Sequence, residues 1–464
     1  MILKTKLYDH QIKAVEKIKK IKVGALYMEM GTGKTRTALE LIKKRYNKNK
    51  IDHILWLCPC SVKETLKREL IKHVAGELSM FTICGIETLS SSIKTNFKLL
   101  NLVEKKKVHI IVDESNLVKN HRAKRTINIE RLAGKCTYKL ILNGTPISKC
   151  EKDLFSQWYI LDWRILGYQS FWSFAANHLE YDERIRGKIR RCLNTDYLVR
   201  KIAPYTYQIK KEECLELPPK TYSTEYYGLS NEQQKHYKYV ADKLLFELDE
   251  LQPETIYRLF SGLQNVISGF RVTVGKHLKK TAFFDTPLKN PRIQLLLDLI
   301  KKTDHKMIIF CKFTQEIKDI IKVLNYKYGE KSAMPFYGEI NLKQRQENID
   351  AFYKKTKTRF LVANKTCAGY GLNLQFCNYI IYYSNDWNYA TRSQSEDRVH
   401  RIGQKNNVHI IDICADNSLD ERILSCLWKK ENLVDSFKRQ LENQKDKKEF
   451  LSNYFRCKGV LDNA

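Results

Sequence analysis

Short apolar runs recur along this chain, each too brief for a helix that stands alone and almost free of polar interruptions. A first group, roughly 20 to 145, holds Val23-Gly24-Ala25-Leu26-Tyr27, Ile54-Leu55-Trp56-Leu57-Cys58, Val108-His109-Ile110-Ile111-Val112 and Lys139-Leu140-Ile141-Leu142-Asn143. A second group, roughly 305 to 415, holds residues 306–310, 359–363, 379–383 and 409–413. Runs of this kind suit strands covered on both faces of a parallel sheet, with helices as the crossovers. Between the groups, from about 155 to 285, lies an aromatic-rich stretch of helical periodicity. The expected fold class is therefore α/β, with two parallel-sheet lobes and helical insertions between them. Leu217-Pro218-Pro219-Lys220 punctuates the middle and marks the expected boundary. A helical C-terminus is expected from Ser418, where Ser418 and Glu421 have capping-box spacing.

At 464 residues the chain can build two or three domains, each with its own core. Its 82 Lys and Arg against 52 Asp and Glu leave a net charge of +30, which suggests a polyanionic partner. Because Lys greatly outnumbers Arg, part of this excess also reads as compositional drift. The 13 cysteines form no CxxC pair and the 11 histidines show no metal-ligand spacing, as expected of a chain in a reducing compartment. The N-terminal residues do not read as a signal peptide, and no apolar run reaches membrane-spanning length. A cytoplasmic protein with no membrane partner is expected.

The turn after the first run carries chemistry. Met28-Glu29-Met30-Gly31-Thr32-Gly33-Lys34-Thr35 lies between that strand and the helically spaced Thr37-Ala38-Leu39-Glu40-Leu41-Ile42. Strand, glycine turn, Lys-Thr and helix form a phosphate-binding loop, although Met28 stands where the strict pattern has Gly. Gly31, Thr32 and Gly33 would bring backbone N–H groups to a nucleotide's phosphates, aided by the helix N-terminus. Lys34 would reach the β and γ phosphates and Thr35 would hold Mg²⁺. At the end of the run 108–112, Asp113 would bind the same Mg²⁺ and Glu114 would orient and deprotonate an attacking water. ATP and Mg²⁺ are thus the expected cofactors.

Far downstream, Gln394-Ser395-Glu396-Asp397-Arg398-Val399-His400-Arg401-Ile402-Gly403-Gln404 sets two arginines three apart, on one face if the stretch is helical. Arginine is a rigid, permanently charged fork suited to phosphate oxygens, and such residues complete many phosphate-hydrolysing sites from a second domain.

Other segments fall in order around these three. They are Leu7-Tyr8-Asp9-His10-Gln11, Cys58-Pro59-Cys60-Ser61, the extension Ser115-Asn116-Leu117-Val118-Lys119-Asn120 and Asn143-Gly144-Thr145-Pro146. Further on come Leu217-Pro218-Pro219-Lys220, then Gly338, Arg345 and Phe352, Gly369-Tyr370-Gly371-Leu372-Asn373-Leu374 and Trp387-Asn388. Together they resemble the sucrose-nonfermenting (Snf/Swi) family of helicase-like ATPases, within helicase superfamily two, over nearly the whole chain. Ser115-Asn116 replaces the family's usual Ala-His, Thr366-Cys367-Ala368 stands where a basic residue, Ala and Gly are frequent, and Tyr389 replaces a proline.

The resemblance implies two RecA-like lobes. The first is expected over 1–213, with a helical protrusion at about 155–213, and the second over 214–430, with a protrusion at about 220–285; a helical tail would cover 431–464. It implies that Gln11 reads adenine, that Gly371 lies at the nucleotide, and that Lys34, Glu114, Arg398 and Arg401 are catalytic. It also implies a DNA-dependent ATPase moving along double-stranded DNA, with separate protein subunits as possible further partners. Ser61, Lys63, Lys119, Lys312, Lys365, Asn373 and Trp387 are the candidates for the DNA track. Arg184-Ile185-Arg186-Gly187-Lys188-Ile189-Arg190-Arg191 is the densest arginine cluster, either a backbone clamp or a solvated face. The same ATP chemistry would also serve a strand-separating helicase or an ATP-switched scaffold.

Overall fold

The computed structural model describes residues 1–144, 151–183, 189–246, 253–275, 277–354, 356–365 and 372–430, with 433, 436, 437, 440 and 454 beyond them. The chain divides into two units, Met1–Glu216 and Leu217–Ala464. Among the described residues no helix is long and apolar enough to cross a membrane.

The first unit is built on six parallel strands. In chain order they are β1 (Val23–Met28), β2 (His53–Cys58), β3 (Phe81–Gly85), β4 (Val108–Asp113), β5 (Tyr138–Asn143) and β6 (Thr206–Ile209). Their order across the sheet is β6-β1-β5-β4-β2-β3. Alternate residues of each strand feed opposite cores, as the pleat requires. Leu26, Ile54, Trp56, Ile111 and Leu140 pack with helices Asp9–Ile18 and Lys34–Tyr46. Tyr27, Leu55, Ile110 and Ile141 pack with Trp158, Leu161 and Phe174 on the other face.

Trp158 and Leu161 belong to the helix Lys152–Leu166. The expected protrusion at 155–213 therefore requires correction: its first helix is a layer of the unit's core, driven there by its buried aromatic face. The stretch continues with the helix Phe171–His178, a hairpin of Leu179–Tyr181 with Ile189–Cys192, the helix Thr195–Ile202 and then β6.

The second unit repeats the plan with β7 (Lys220–Tyr227), β8 (Met307–Cys311), β9 (Ala333–Phe336), β10 (Phe360–Asn364), β11 (Tyr379–Tyr382) and β12 (Val408–Ala415). All neighbours are parallel, in the order β7-β12-β11-β8-β10-β9. Here too a correction is needed. Residues 220–227, expected to open a helical protrusion, form a strand that pairs along its full length with Val408–Ala415. Helices Asn231–Phe246 and Pro253–Ile267 follow and share a core with Met307, Ile309 and Val362. At the C-terminus, Ser418 caps the helix Leu419–Trp428 by accepting from Asp420 N–H at 3.2 Å. Glu421 reaches the N–H of Asn417 at 2.8 Å, one residue before the cap the spacing suggested.

Candidate nucleotide site and the polar edge of the second unit

In the first sheet, β1, β4 and β5 end at one edge: Tyr27 lies opposite Asn143, and Asp113 opposite Leu142. The carboxyl edge of a parallel sheet is where α/β folds place ligands. The turn after β1 passes through Gly31 and Gly33 at φ +84° and +87°, the left-handed region. A Cβ on Gly33 would meet the movable end of the Gln11 side chain, so it is the φ that demands glycine. Lys34 and Thr35 begin the helix Lys34–Tyr46, whose N-terminal partial charge favours an anion. Lys34 Nζ donates to Met28 O at 2.8 Å, and the buried Thr32 hydroxyl donates to Glu29 O at 2.7 Å. Gly144, next after β5, borders the loop; a Cβ there would lie 3.5 Å from Met30 N and 3.8 Å from Lys34 Nζ.

Gln11 is bound by protein at both ends of its amide. Its Nε2 donates to Thr32 O at 3.1 Å, and its Oε1 accepts from Tyr8 N–H at 3.1 Å. A ring nitrogen of His10 meets the same Thr32 carbonyl at 2.8 Å. Arg36, buried on the loop's helix, donates to the hydroxyl and carbonyl of Thr5 at 2.9 and 2.7 Å. The segment carrying Gln11 is thereby fastened over the phosphate loop.

Asp113 ends β4, and Glu114 follows it in a left-handed conformation, φ +49°, that a non-glycine residue adopts only under constraint. Its N–H donates to Asp113 Oδ1 at 3.0 Å. Burial raises the Asp113 pKa to about 7, the negative charge of Glu114 adds to the rise, and Lys34 opposes it. A divalent cation would relieve both penalties. Mg²⁺ needs only one or two protein carboxylates, so Asp113 with the Thr35 hydroxyl fits it.

Behind this pair the buried Ser115 hydroxyl donates to Gln157 Oε1 at 2.5 Å and accepts from Asn143 Nδ2 at 3.3 Å. The loop after β4, the end of β5 and the helix Lys152–Leu166 are joined through this one hydroxyl. Alanine, the residue the family resemblance implies at 115, could not do this.

Among the expected track residues, Ser61 and Asn373 are exposed, Lys63 starts the helix Lys63–His73, and Lys119 lies 3.6 Å from Asp153. Lys365 is 2 % exposed, with Nζ donating to Asn385 Oδ1 at 3.1 Å. The Trp387 indole donates to Gln264 Oε1 at 2.7 Å and stacks on Tyr257, while Lys312 Nζ sits 3.6 Å above its ring and also bonds Gln264. Lys365 and Trp387 thus form the packed floor of this edge, which corrects the expectation that they face a polymer. Asn385 continues the floor to Asp412, which holds Arg392 in a fork at 2.6 and 2.9 Å.

The helix Tyr389–Glu396 ends before the two expected arginines, so their shared helical face is also corrected. Arg398 and Arg401 stand in the turns that follow. Arg398 O accepts from Leu374 N–H at 3.0 Å, and Arg401 bonds the Asn373 side chain and Leu372 O. Gly371, with the rest of 366–371, lies outside the described residues, as do Thr145-Pro146 and Arg184–Lys188. Sequence reasoning missed the links of Glu29, His10, Ser115 and Arg392. Each depends on a partner distant in sequence, and no local spacing signals it.

Two parallel α/β units, one carrying a phosphate loop beside an acidic pair, define a P-loop nucleotide-binding protein. Residues 80–271 match the SNF2-related domain, 291–403 the helicase conserved C-terminal domain, and 4–148 the res subunit of type III restriction enzymes. Over these segments the chain is similar to the SNF2-related, helicase-like ATPases of helicase superfamily two. It is 25 % identical over 436 residues to an uncharacterized ATP-dependent helicase of Mycoplasma pneumoniae, covering 89 % of this chain and 40 % of that one. An ISWI chromatin-remodeling complex ATPase of Arabidopsis thaliana is 25 % identical over 445 residues, covering 88 % and 40 %. The uncharacterized ATP-dependent helicase YqhH of Bacillus subtilis is 26 % identical over 468 residues, covering 94 % and 80 %. The chain thus spans two fifths of the length of the first two. A Sulfolobus solfataricus SWI2/SNF2 ATPase core in complex with dsDNA aligns over 98 % of both chains at 22 % identity, TM-score 0.42.

Proposed function

We propose that this protein hydrolyses ATP and uses the cycle to move along double-stranded DNA, displacing or remodelling what is bound there. The observation that carries the nucleotide half is the meeting of Lys34 and Asp113 at one sheet edge, where the Lys34 charge opposes the rise in the Asp113 pKa. Loop N–H groups and Lys34 bind the phosphates, Gln11 turns from Thr32 O toward the base, and Glu114 orients and deprotonates the attacking water. Mg²⁺ on Thr35 and Asp113 would neutralise charge developing on the phosphate oxygens. Arg398 and Arg401 serve as the arginines supplied from the second unit. The DNA half is supported by the net charge of +30 and by the similarity to SNF2-related domains. Phosphate contacts by Ser61, Lys63, Lys119 and Asn373 form its track, and Lys312 lies at the edge of the Trp387 floor. Such contacts carry little sequence information. Separate protein subunits and a cytoplasmic setting complete the proposal.

Steady-state ATPase assays without nucleic acid and with single strands, duplex DNA or RNA test it. Duplex DNA is expected to stimulate most, with a slope of log affinity against log salt of about −0.9 per phosphate contact. Lys34→Ala weakens both binding and hydrolysis, whereas Glu114→Gln keeps binding and loses turnover, because the amide lacks a basic oxygen. Equal stimulation by RNA, or parental turnover by Glu114→Gln, overturns the assignment. Displacement of a triplex-forming strand reports translocation, unwinding of a forked duplex would favour strand separation, and neither, with ATP turnover intact, would favour a switched scaffold.

A further inference from the structure

Glu29, in the phosphate loop, bonds the far end of the first unit through both its backbone and its side chain. Its N–H donates to Ile209 O at 3.1 Å, beside β6. Its carboxylate Oε2 accepts from the backbone N–H of Lys211 at 2.7 Å, across 182 residues of sequence. Its carbonyl accepts from both the N–H and the hydroxyl of Thr32, at 3.3 and 2.7 Å. Beyond Lys211 the chain makes a tight turn, with the N–H groups of Cys214 and Leu215 both on Lys211 O at 3.2 and 2.9 Å. The second unit begins at Leu217.

From this geometry we infer that Glu29 is a positioning residue that reports occupation of the phosphate loop to the strap Lys210–Leu215. The inference rests on the nucleotide reading of that loop. Phosphate oxygens are stronger acceptors than a peptide carbonyl and compete for the loop's donors. A phosphate that draws the Thr32 N–H away from Glu29 O loosens one end of Glu29. A loosened Glu29 holds the Lys211 N–H less firmly, and the strap is the last stretch of the first unit before the chain crosses. The carboxylate matters only as an oxygen acceptor in this place, so glutamine can replace it and alanine cannot.

Hydrogen exchange over a peptide spanning residues 209–216, followed by mass spectrometry in the full-length protein, reads the device. Adenylyl-imidodiphosphate with Mg²⁺ is the probe, and calorimetry on the same samples measures its binding. In the parent, the probe is expected to speed exchange in this peptide by at least about tenfold, the scale of one lost charge-assisted hydrogen bond. Glu29→Ala shows the fast exchange with or without probe and a raised KM for ATP. Glu29→Gln regains the parent's response and KM, which separates clasping from folding. Binding of the probe with no change at 209–216 in the parent, or a full response in Glu29→Ala, overturns the clasp and leaves the nucleotide site standing. No binding to the parent overturns both.

Discussion

Lys365 is a lysine in a place where a positive charge is hard to keep. Burial first and then the neighbouring Arg392 lower its pKa to about 7, against the opposing carboxylates Asp386 and Asp412. Lys312 is lowered to about 8, again chiefly by burial. In the unfolded chain both return toward the ordinary value of 10.5. Between the folded and unfolded values the unfolded state binds more protons, so stability rises with pH across that window. The denaturant midpoint of the second unit is therefore expected to increase from pH 7 to pH 9. Lys365→Met should flatten that rise to the part Lys312 contributes. A midpoint that falls or stays level over this range in the parent would show that Lys365 keeps its proton in the fold. On the acid side the sense is the same. Burial acts to raise Glu396, yet Arg392 and Lys220 hold it below its ordinary value, and its contribution is lost as pH falls through that lowered value.

Among the elements, the helix Lys152–Leu166 tests how the first unit is layered. Trp158 is fully buried against Tyr27, ring centroids 6.4 Å apart and nearly perpendicular, whereas Trp172 on the next helix is 63 % exposed. Trp158→Ala removes an indole from the core and should cost about 3–5 kcal/mol, read as a lower melting transition. Trp172→Ala should stay within about 0.5 kcal/mol of the parent. Similar losses for both would mean that this helix is an appendage after all. The strands show what was legible in the sequence. All eight interior strands stand as apolar runs, because a strand covered on both faces and both edges has no reason to carry polar residues. The four edge strands, Phe81–Gly85, Thr206–Ile209, Lys220–Tyr227 and Ala333–Phe336, escape that reading. Each is partly exposed, and Lys220–Tyr227 has polar or half-exposed side chains at nearly every position. The phosphate loop was legible because glycine, lysine and threonine are required within a few residues. The bonds around Ser115 and Glu29 were not, because tertiary structure alone brings their partners together.

For the whole molecule, the division at Glu216 and Leu217 separates two sets of chemistry. Every residue assigned to hold ATP and Mg²⁺ in the first unit lies within 1–216, together with two full core layers of its own. A fragment of those residues should fold and bind a fluorescent ATP analogue. It should not turn ATP over, because the arginines proposed to assist hydrolysis, Arg398 and Arg401, belong to the second unit. In the intact protein Arg401→Ala is expected to cut DNA-stimulated turnover at least about a hundredfold while analogue affinity falls only modestly. Lysine at 401 should rescue poorly, since it cannot form a bidentate fork. Parental turnover by Arg401→Ala would identify it as a structural residue of the turn around Asn373.

The position of β6 has a consequence for how the polypeptide is born. The strand bearing the phosphate loop leaves the ribosome long before its outer neighbour Thr206–Ile209, which pairs with Ala25–Met28. Until then one flank of β1 is an open row of backbone donors and acceptors, the kind of flank that recruits other chains. The second unit repeats the delay, since Lys220–Tyr227 waits for Val408–Ala415. Contacts so distant in sequence form slowly. Nascent chains of this protein therefore pass through two intervals of vulnerability, each ended by the late arrival of a single strand. Slowing translation between 28 and 206 should lengthen the first and increase dependence on chaperones.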